Sequence, residues 1–178
     1  MKVFSFDFET NGLWGRVFAA AAVVRENGVE IARFLALCPI RETVDPWVLV
    51  NVLSRIEKIG LTHGDDETML KDFAEFYITH KDGADIIAHM AIPVESTVIR
   101  DMHNLGYIGD WDAPYPLIDL AGCLKMADED PTSVDAYATK YDIIVPKLVG
   151  GTHNPLYDSI VTALVYEHLM SRAKKVKI

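Results

Sequence analysis

Two carboxylates stand two positions apart near the start of the chain, in the segment Asp7-Phe8-Glu9. They follow an apolar run typical of a β-strand, and side chains two apart on a strand point to the same face. Neighbouring carboxylates repel each other unless water or a cation neutralises them, and hard divalent ions such as Mg²⁺ and Mn²⁺ prefer such oxygen ligands. The pair therefore indicates a metal site, with two solvated acids at a strand end as the alternative.

A histidine and an aspartate flank the start of the last predicted helix. His153 lies in the loop before this helix, Asp158 lies just past its first turn, and Gly150-Gly151 upstream would let the loop move. Hydrolysis needs a base that takes a proton from water, which suits a histidine, and an acid that holds a metal. Taken singly, Asp158 is also the acid that a helix dipole favours, and His153 a surface or capping residue.

A third acid, Glu95, falls in the first turn of another predicted helix. Residues 88–95 run from a strand through a turn into that helix, so this carboxylate is expected close to the end of the strand. The alternative for Glu95 alone is again an ordinary acid at a helix N-terminus.

Five strands are predicted to carry or support these residues. The Asn27-Gly28 pair is a strong hairpin signal, and the strands on either side of it follow the first strand closely. Three strands joined in this way indicate an antiparallel meander. The predicted strands are 3–8, 16–25, 29–37, 84–88 and 117–119.

Helices are predicted over most of the remaining chain, because apolar residues recur at three- and four-residue intervals. Pro93 is well placed to begin one helix, Thr132 or Ser133 to cap another, and Asn154 with Pro155 to begin the last. The order of elements predicts an α/β fold with a mixed sheet and helices on both faces. The predicted helices are 47–59, 67–80, 94–105, a short one ending at Met126, 132–141 and about 155–173.

The bulk properties favour one globular domain over residues 1–178, since the chain shows no repeat and no linker. No apolar run is long enough to span a bilayer, and the N-terminus does not read as a secretory leader. Cys38 and Cys123 lie in apolar surroundings, which favours core packing over metal binding. A cytoplasmic protein with reduced thiols is therefore expected.

The formal net charge of −9 indicates that any nucleic-acid binding surface is small. Proteins that hold long duplexes through many phosphate contacts are usually basic, because counterion release drives that binding. An acidic enzyme can still hold a few nucleotides at one end when bound cations offset its carboxylates.

In this order and spacing, the three segments resemble the motifs of the DEDDh exonucleases, the DnaQ-like and ribonuclease T-like branch of the ribonuclease H-like superfamily. Asp7-Phe8-Glu9-Thr10-Asn11-Gly12-Leu13 is similar to the first motif, residues 88–95 to the second, and residues 153–158 to the third. Residues 116–119 and 133–137 resemble the family's intervening strand and helix, so the resemblance covers nearly the whole chain. It implies a ribonuclease H-like mixed sheet, with strands 1–3 antiparallel and the later strands parallel.

The second motif departs from the family pattern. Met90 stands in place of an asparagine, one extra residue is present, and the acid is Glu95 where the family has an aspartate. Asp101 on the same helix is the fallback ligand, although at six residues' distance it should face another direction. If neither acid reaches the metals, the resemblance implies a degenerate module that binds 3′ ends or a protein partner.

The resemblance implies a 3′–5′ exonuclease that uses two Mg²⁺ or Mn²⁺ ions. Asp7 bridges the ions, and Glu9, Glu95 and Asp158 complete their coordination, while His153 takes the proton of the attacking water. Single-stranded or 3′-ended RNA or DNA is the implied partner.

The same resemblance implies that the loop after the first motif holds the substrate end. The backbone of Thr10, Asn11 and Gly12 receives the terminal 3′-hydroxyl, and Leu13 wedges against the last base. Trp14 is either a stacking surface or a core residue, and Tyr157 either a phosphate contact or a packing residue.

Two other readings stay open at this point. An endonuclease or phosphatase on an unrelated α/β fold would also use paired acids, and it would cut circular or end-blocked substrates. Apolar surface on the helix predicted at 47–59 would support a homodimer.

Overall fold

A five-stranded mixed sheet forms the centre of the molecule, in a computed structural model that describes residues 1–148 and 150–175. Its strand order is β3-β2-β1-β4-β5. The β1–β2 and β2–β3 pairs are antiparallel, whereas β1–β4 and β4–β5 are parallel. The strands are β1 (Lys2–Thr10), β2 (Val17–Glu26), β3 (Val29–Leu37), β4 (Ala84–Ala88) and β5 (Ile118–Asp119). The predicted mixed sheet is confirmed.

The first strand is longer than predicted and includes both acids of its motif. β1 continues to Thr10, so Asp7 and Glu9 lie within the strand and not beyond its end. It pairs with β4 only as far as Ser5, opposite Ile87. On the other side its register with β2 shifts between Glu9 and Thr10, and such irregularities often lie beside active sites.

The helical elements follow the predicted order with shifted ends. The helix predicted at 47–59 is divided into α1 and α2 by a π-helical segment, Leu49–Leu53, and ends at Ile56. Ser133 caps α6 by accepting from the N–H of Ala136, and Asn154 caps α7 by accepting from the N–H of Leu156. The helices are α1 (Pro46–Val48), α2 (Ser54–Ile56), α3 (Asp66–His80), α4 (Val94–Asn104), α5 (Leu120–Met126), α6 (Val134–Lys140) and α7 (Pro155–Lys175).

Each face of the sheet is covered by its own apolar cluster, because side chains alternate along β1. Phe4, Phe6 and Phe8 pack on one face against α3, where the rings of Phe8 and Phe73 lie 4.7 Å apart. Val3, on the opposite face, lies in a second cluster with residues of α5, α6 and α7. Asp7 and Glu9 therefore project from the face that α7 covers.

Neither cysteine is paired, and each packs against one of the two clusters. Cys38 is buried in the first cluster, and Cys123 is partly buried against the second. Among the described residues, no helix combines the length and apolar character that a bilayer-spanning segment needs.

A network around Glu129 joins the loop after α5 to α6 and α7. Its carboxylate accepts hydrogen bonds from Lys140 at 2.6 Å, from the hydroxyl of Tyr141, and from Arg172 at 3.2 Å. These donors, Lys140 first, lower the pKa of Glu129 from its usual 4.5 to about 2. The ionised form is therefore the one that the folded state stabilises.

We expect Glu129→Gln to lower the melting temperature at pH 7. A group whose pKa falls on folding stabilises the protein above its usual pKa, and this contribution is lost as the pH drops. The difference from the wild type should therefore shrink between about pH 4.5 and pH 2. Thermal unfolding followed by circular dichroism measures it, with exposed Glu57→Gln as the control. A difference that does not change with pH would contradict the charged network.

Candidate active site

Three carboxylates meet where β1 passes under the start of α7. Asp7 and Glu9 come from β1, and Asp158 comes from the first turn of α7. One oxygen from each lies within 4.8 Å of the others. We call Asp7, Glu9 and Asp158 the acid trio.

The position of Asp158 is fixed by the loop before α7. The N–H of His153 donates to Oδ2 of Asp158 at 2.8 Å, and Asn154 accepts from the N–H groups of Leu156 and Tyr157. The helix thus begins with its capping residue satisfied and its acid turned towards β1. A negative charge at this end of a helix is also favoured by the aligned peptide dipoles.

Burial raises the pKa of every member of the trio, and the charges of neighbouring carboxylates add to the rise. For Asp7 burial is the larger cause, followed by the charges of Asp158, Glu9 and Glu95. The pKa of Glu9 rises for the same reasons, by burial first and then by Asp158 and Glu95. Asp158 reaches a pKa of about 7, chiefly through burial, although the N–H of His153 opposes this rise.

This donor set fits a divalent metal ion. Carboxylates forced together in a partly buried space are costly in their ionised form, and a bound cation offsets both the burial and the repulsion. The oxygens are of the kind that hard ions prefer. The acid trio is therefore a candidate metal centre.

Glu95 and Asp101, the two candidates for the second-motif acid, occupy different environments. Glu95 is 4% exposed in the first turn of α4. Burial raises its pKa to about 7, while the N–H groups of Glu95 itself and of Phe8 oppose the rise. Asp101 is half exposed and accepts from Arg100 at 3.3 Å. Glu95 is the acid whose charge reaches Asp7 and Glu9, although it lies outside the 4.8 Å trio.

The turn before α4 is the place where the second motif departs from the family pattern. Met90 takes a positive φ of 57°, and its N–H donates to Oδ1 of Asp119 at 3.1 Å. Pro93 then stands at the N-cap of α4, two positions before Glu95. The Glu95 carboxylate then lies beside the backbone of Phe8.

His153 lies at the edge of the acid trio. Its Nδ1 is 4.0 Å from Oε1 of Glu9, and its side chain is 38% exposed. Burial, followed by the charge of Arg55, lowers the pKa of the imidazole. The neutral ring, which is the form that can accept a proton, is therefore favoured. Its ring also meets that of Trp47, with centroids 5.3 Å apart and planes at 88°.

The loop after β1 is held mainly by its own hydrogen bonds. The hydroxyl of Thr10 donates to the carbonyl of Gly12 at 2.7 Å, and the N–H of Gly12 donates to the carbonyl of Thr10. The Asn11 amide binds the chain before α1, accepting from the N–H of Asp45 and donating to the carbonyl of Thr43. The Asn11 side chain therefore holds two segments together.

The aromatic alternatives left open by the sequence are resolved in part. Trp14 is 74% exposed, which excludes a core role, and Leu13 is also exposed. Tyr157 packs against the second apolar cluster and donates its hydroxyl to Oδ1 of Asp135 at 2.5 Å. Its hydroxyl is therefore engaged within the protein.

Two recesses meet at Glu9 and His153. The larger, of about 630 Å³, is mostly apolar; the smaller, of about 260 Å³, contains the acid trio. Sequence reasoning did not assign Trp47, Asp135 or Thr152 to this site. Their signals were weak, since Trp47 only marked a helix start and Asp135 only lay in a family-like helix. The larger recess is lined by Phe8, Glu9, Thr10, Gly12, Leu13, Asp45, Trp47, Val48, Val94 and His153.

No family model and no curated protein matches the chain. Solved structures do match it. A structure of exonuclease X in complex with 5′ overhanging duplex DNA is 19% identical, with a TM-score of 0.59 over 97% of this chain and 93% of that one. S. pombe Pop2p, in a Mg²⁺- and Mn²⁺-bound form, is 13% identical, with a TM-score of 0.66 over 96% of this chain and 83% of that one.

E. coli exonuclease I in complex with a dA16 oligonucleotide is 14% identical, with a TM-score of 0.62. The alignment covers 96% of this chain and 41% of that longer one. At such identities the likeness concerns the path of the backbone. The chain therefore has the ribonuclease H-like α/β fold that these DEDD-type exonucleases share.

Proposed function

We propose that this protein is a metal-dependent 3′–5′ exonuclease. The observation that carries the proposal is the acid trio with His153 beside Glu9, at the end of β1 in a fold that known exonucleases share. Paired carboxylates and a neighbouring neutral imidazole are the groups that hydrolysis of a phosphodiester needs.

Asp7, Glu9 and Asp158, together with Glu95, would hold two Mg²⁺ or Mn²⁺ ions. Pop2p, which shares the fold, has been solved with both of these ions. Bound there, the ions would supply an activated water and stabilise the oxygen that leaves. The raised pKa values of the trio support the same assignment, because a buried acid cluster gains most from a cation.

His153 is the general base of this proposal. Lowering of its pKa keeps the imidazole neutral near pH 7, so the ring can take a proton from the attacking water. Its own N–H holds Asp158, so one residue links the base to a metal ligand. Glu9 faces the same ring across 4.0 Å.

The substrate would be the 3′ end of single-stranded or short RNA or DNA. The neighbouring structures of exonuclease X and exonuclease I contain DNA. Here the exposed Leu13 and Trp14 would contact the terminal bases, while the backbone of residues 10–12 would receive the 3′-hydroxyl. The net charge of −9 supports a footprint of a few nucleotides.

We propose that the chain acts as one cytoplasmic domain over residues 1–178. Leu49 and Val50 on the segment between α1 and α2 are exposed, and this apolar surface would support a homodimer, which the sequence left open. Sedimentation would show whether the dimer forms.

A second candidate function is a binding module on the same fold. The observation in its favour is Glu95, which lies outside the trio although the family places a metal ligand in its motif. A module of this kind would bind 3′ ends and leave them intact.

Stepwise shortening of a 5′-labelled strand tests the exonuclease directly. We expect single-stranded RNA or DNA to lose nucleotides from its 3′ end when Mn²⁺ is present and to stay intact with a chelator. Asp7→Asn should lose roughly 10²–10⁴-fold in rate, because a metal site supplies several kcal/mol. Binding without shortening would support the binding module, and cleavage of circular substrates would indicate an endonuclease.

Substitution of the two candidate acids of α4 should affect the cleavage rate differently. We expect Glu95→Gln to reduce the cleavage rate by roughly 10–100-fold, because it removes a charge from the metal centre. Asp101→Asn should stay close to the wild type, since its carboxylate is half exposed and paired with Arg100. Circular dichroism controls for folding. The reverse ranking would show that the second motif is misaligned.

Metal binding should also change the melting temperature, whether or not the protein cleaves nucleic acid. Without divalent ions at pH 8, we expect Asp7→Asn to melt above the wild type, because the amide removes a charge from a buried acidic site. About 1 kcal/mol corresponds to roughly 2–4 °C in a chain of this size. Mn²⁺ should raise the melting temperature of the wild type and of the Asp101→Asn control, but not that of Asp7→Asn. Equal responses in all three would refute the site.

A further inference from the structure

The backbone of the loop that carries His153 is held at several points. The N–H of His153 donates to Asp158, and the hydroxyl of Thr152 donates to Oδ2 of Asp135 at 3.2 Å. Gly150, at a φ of +94°, lies so close to α2 that a Cβ would come within 2.0 Å of the carbonyl oxygen of Arg55. Glycine at this position thus permits close packing of the loop against α2.

The imidazole of His153 has fewer contacts than its backbone. Among the described residues, neither ring nitrogen has a hydrogen-bond partner, since Glu9 is 4.0 Å away. General bases are usually oriented by a third group that binds the far side of the ring. The aromatic contact of this ring in the described chain is with the indole of Trp47, in the perpendicular arrangement that aromatic pairs favour.

Trp47 is fixed at its backbone although its side chain is 56% exposed. Oδ1 of Asp45 accepts from the N–H of Trp47 at 2.8 Å and of Val48 at 3.2 Å, and the Asn51 amide donates to the Trp47 carbonyl. Val48 beside it is fully buried. The indole thus projects from an anchored turn into the larger recess, and core packing does not account for it.

The same anchor is joined to the loop that follows the first motif. The N–H of Asp45 donates to Oδ1 of Asn11 at 2.8 Å, and the Asn11 amide donates to the Thr43 carbonyl at 2.9 Å. Hydrogen bonds therefore connect the end of β1, through Asn11 and Asp45, to the backbone of Trp47, whose indole contacts the ring of His153.

We propose that Trp47 is a positioning residue for His153, whose indole holds the imidazole at the edge of the acid trio. The catalytic part of this inference rests on the proposed nuclease function. The contact itself does not, because it concerns only how the ring is held.

A double-mutant cycle tests the catalytic part, with single-turnover cleavage of 5′-labelled single-stranded DNA in Mn²⁺ as the measurement. We expect Trp47→Ala to slow cleavage roughly 2- to 10-fold, the factor that loss of one aromatic contact corresponds to. Trp47→Phe should restore most of the rate. In a His153→Ala background, itself roughly 10²–10⁴-fold slower, Trp47→Ala should add no further loss.

Trp111→Ala is the matched control, since Trp111 is 93% exposed and borders a different recess at the start of β4. It should cleave like the wild type. Equal losses from Trp47→Ala in both backgrounds would overturn the proposal, because the indole would then act without His153. A change in KM with an unchanged single-turnover rate would also overturn it and would assign Trp47 to substrate binding.

The NMR signals of the His153 ring separate this inference from the proposed function. In the wild type we expect them to be displaced by the ring current of Trp47, to move towards free-histidine positions in Trp47→Ala, and to return partly in Trp47→Phe. A wild type that cleaves nothing would refute the nuclease function, and these signals would still report whether the indole holds the ring. Signals that do not move in Trp47→Ala would overturn the positioning role whatever the activity.

Discussion

Repulsion among carboxylates that share one partly buried space is the constraint on which the site depends. Like charges interact more strongly as the surrounding polarisability falls, so Asp7, Glu9 and Asp158 are costly neighbours in their ionised forms. In the described part of the chain no lysine or arginine forms an ion pair with them. The pKa values of all three acids are raised, by burial first and then by the charges of neighbouring carboxylates. A bound cation would offset both the burial and the repulsion.

The fold provides the rigidity that this repulsion requires. β1 carries two of the acids while Phe4, Phe6 and Phe8, on its opposite face, are locked into an aromatic cluster with Phe73. The strand therefore cannot turn its acids away without exposing that cluster. α7 brings the third acid from the far end of the chain, and its packing against β1 and β2 fixes the distance. Stability on one face of the sheet thus maintains a strained arrangement of charges on the other.

The connection from Asn11 through Asp45 to Trp47 joins the loop after β1 to the loop that carries His153. In the proposed function, this connection would keep the substrate end at a constant distance from His153. Small displacements at a reacting centre lower the reaction rate considerably. The connection also offers a reason for an exposed tryptophan at the start of a short helix, where solvent contact otherwise carries no benefit.

The sequence by itself determined the strands, the alternation that puts Asp7 and Glu9 on one face, the cap at Asn154 and the order of helices around a mixed sheet. These features depend on residues close together in the chain, where periods of 2 and 3.6 and turn chemistry suffice. The π-helical segment between α1 and α2 was beyond this reasoning, because its apolar pattern is that of an ordinary helix.

Only the tertiary structure decided which distant groups meet. It buried Glu95 beside Phe8, left Asp101 with Arg100, committed the Asn11 amide to the chain before α1, and exposed Trp14. It also placed Trp47 against His153. Each outcome depends on how helices settle on the sheet. Local sequence carries the propensity of a residue to form an element, whereas contacts between elements follow from packing that no single segment encodes.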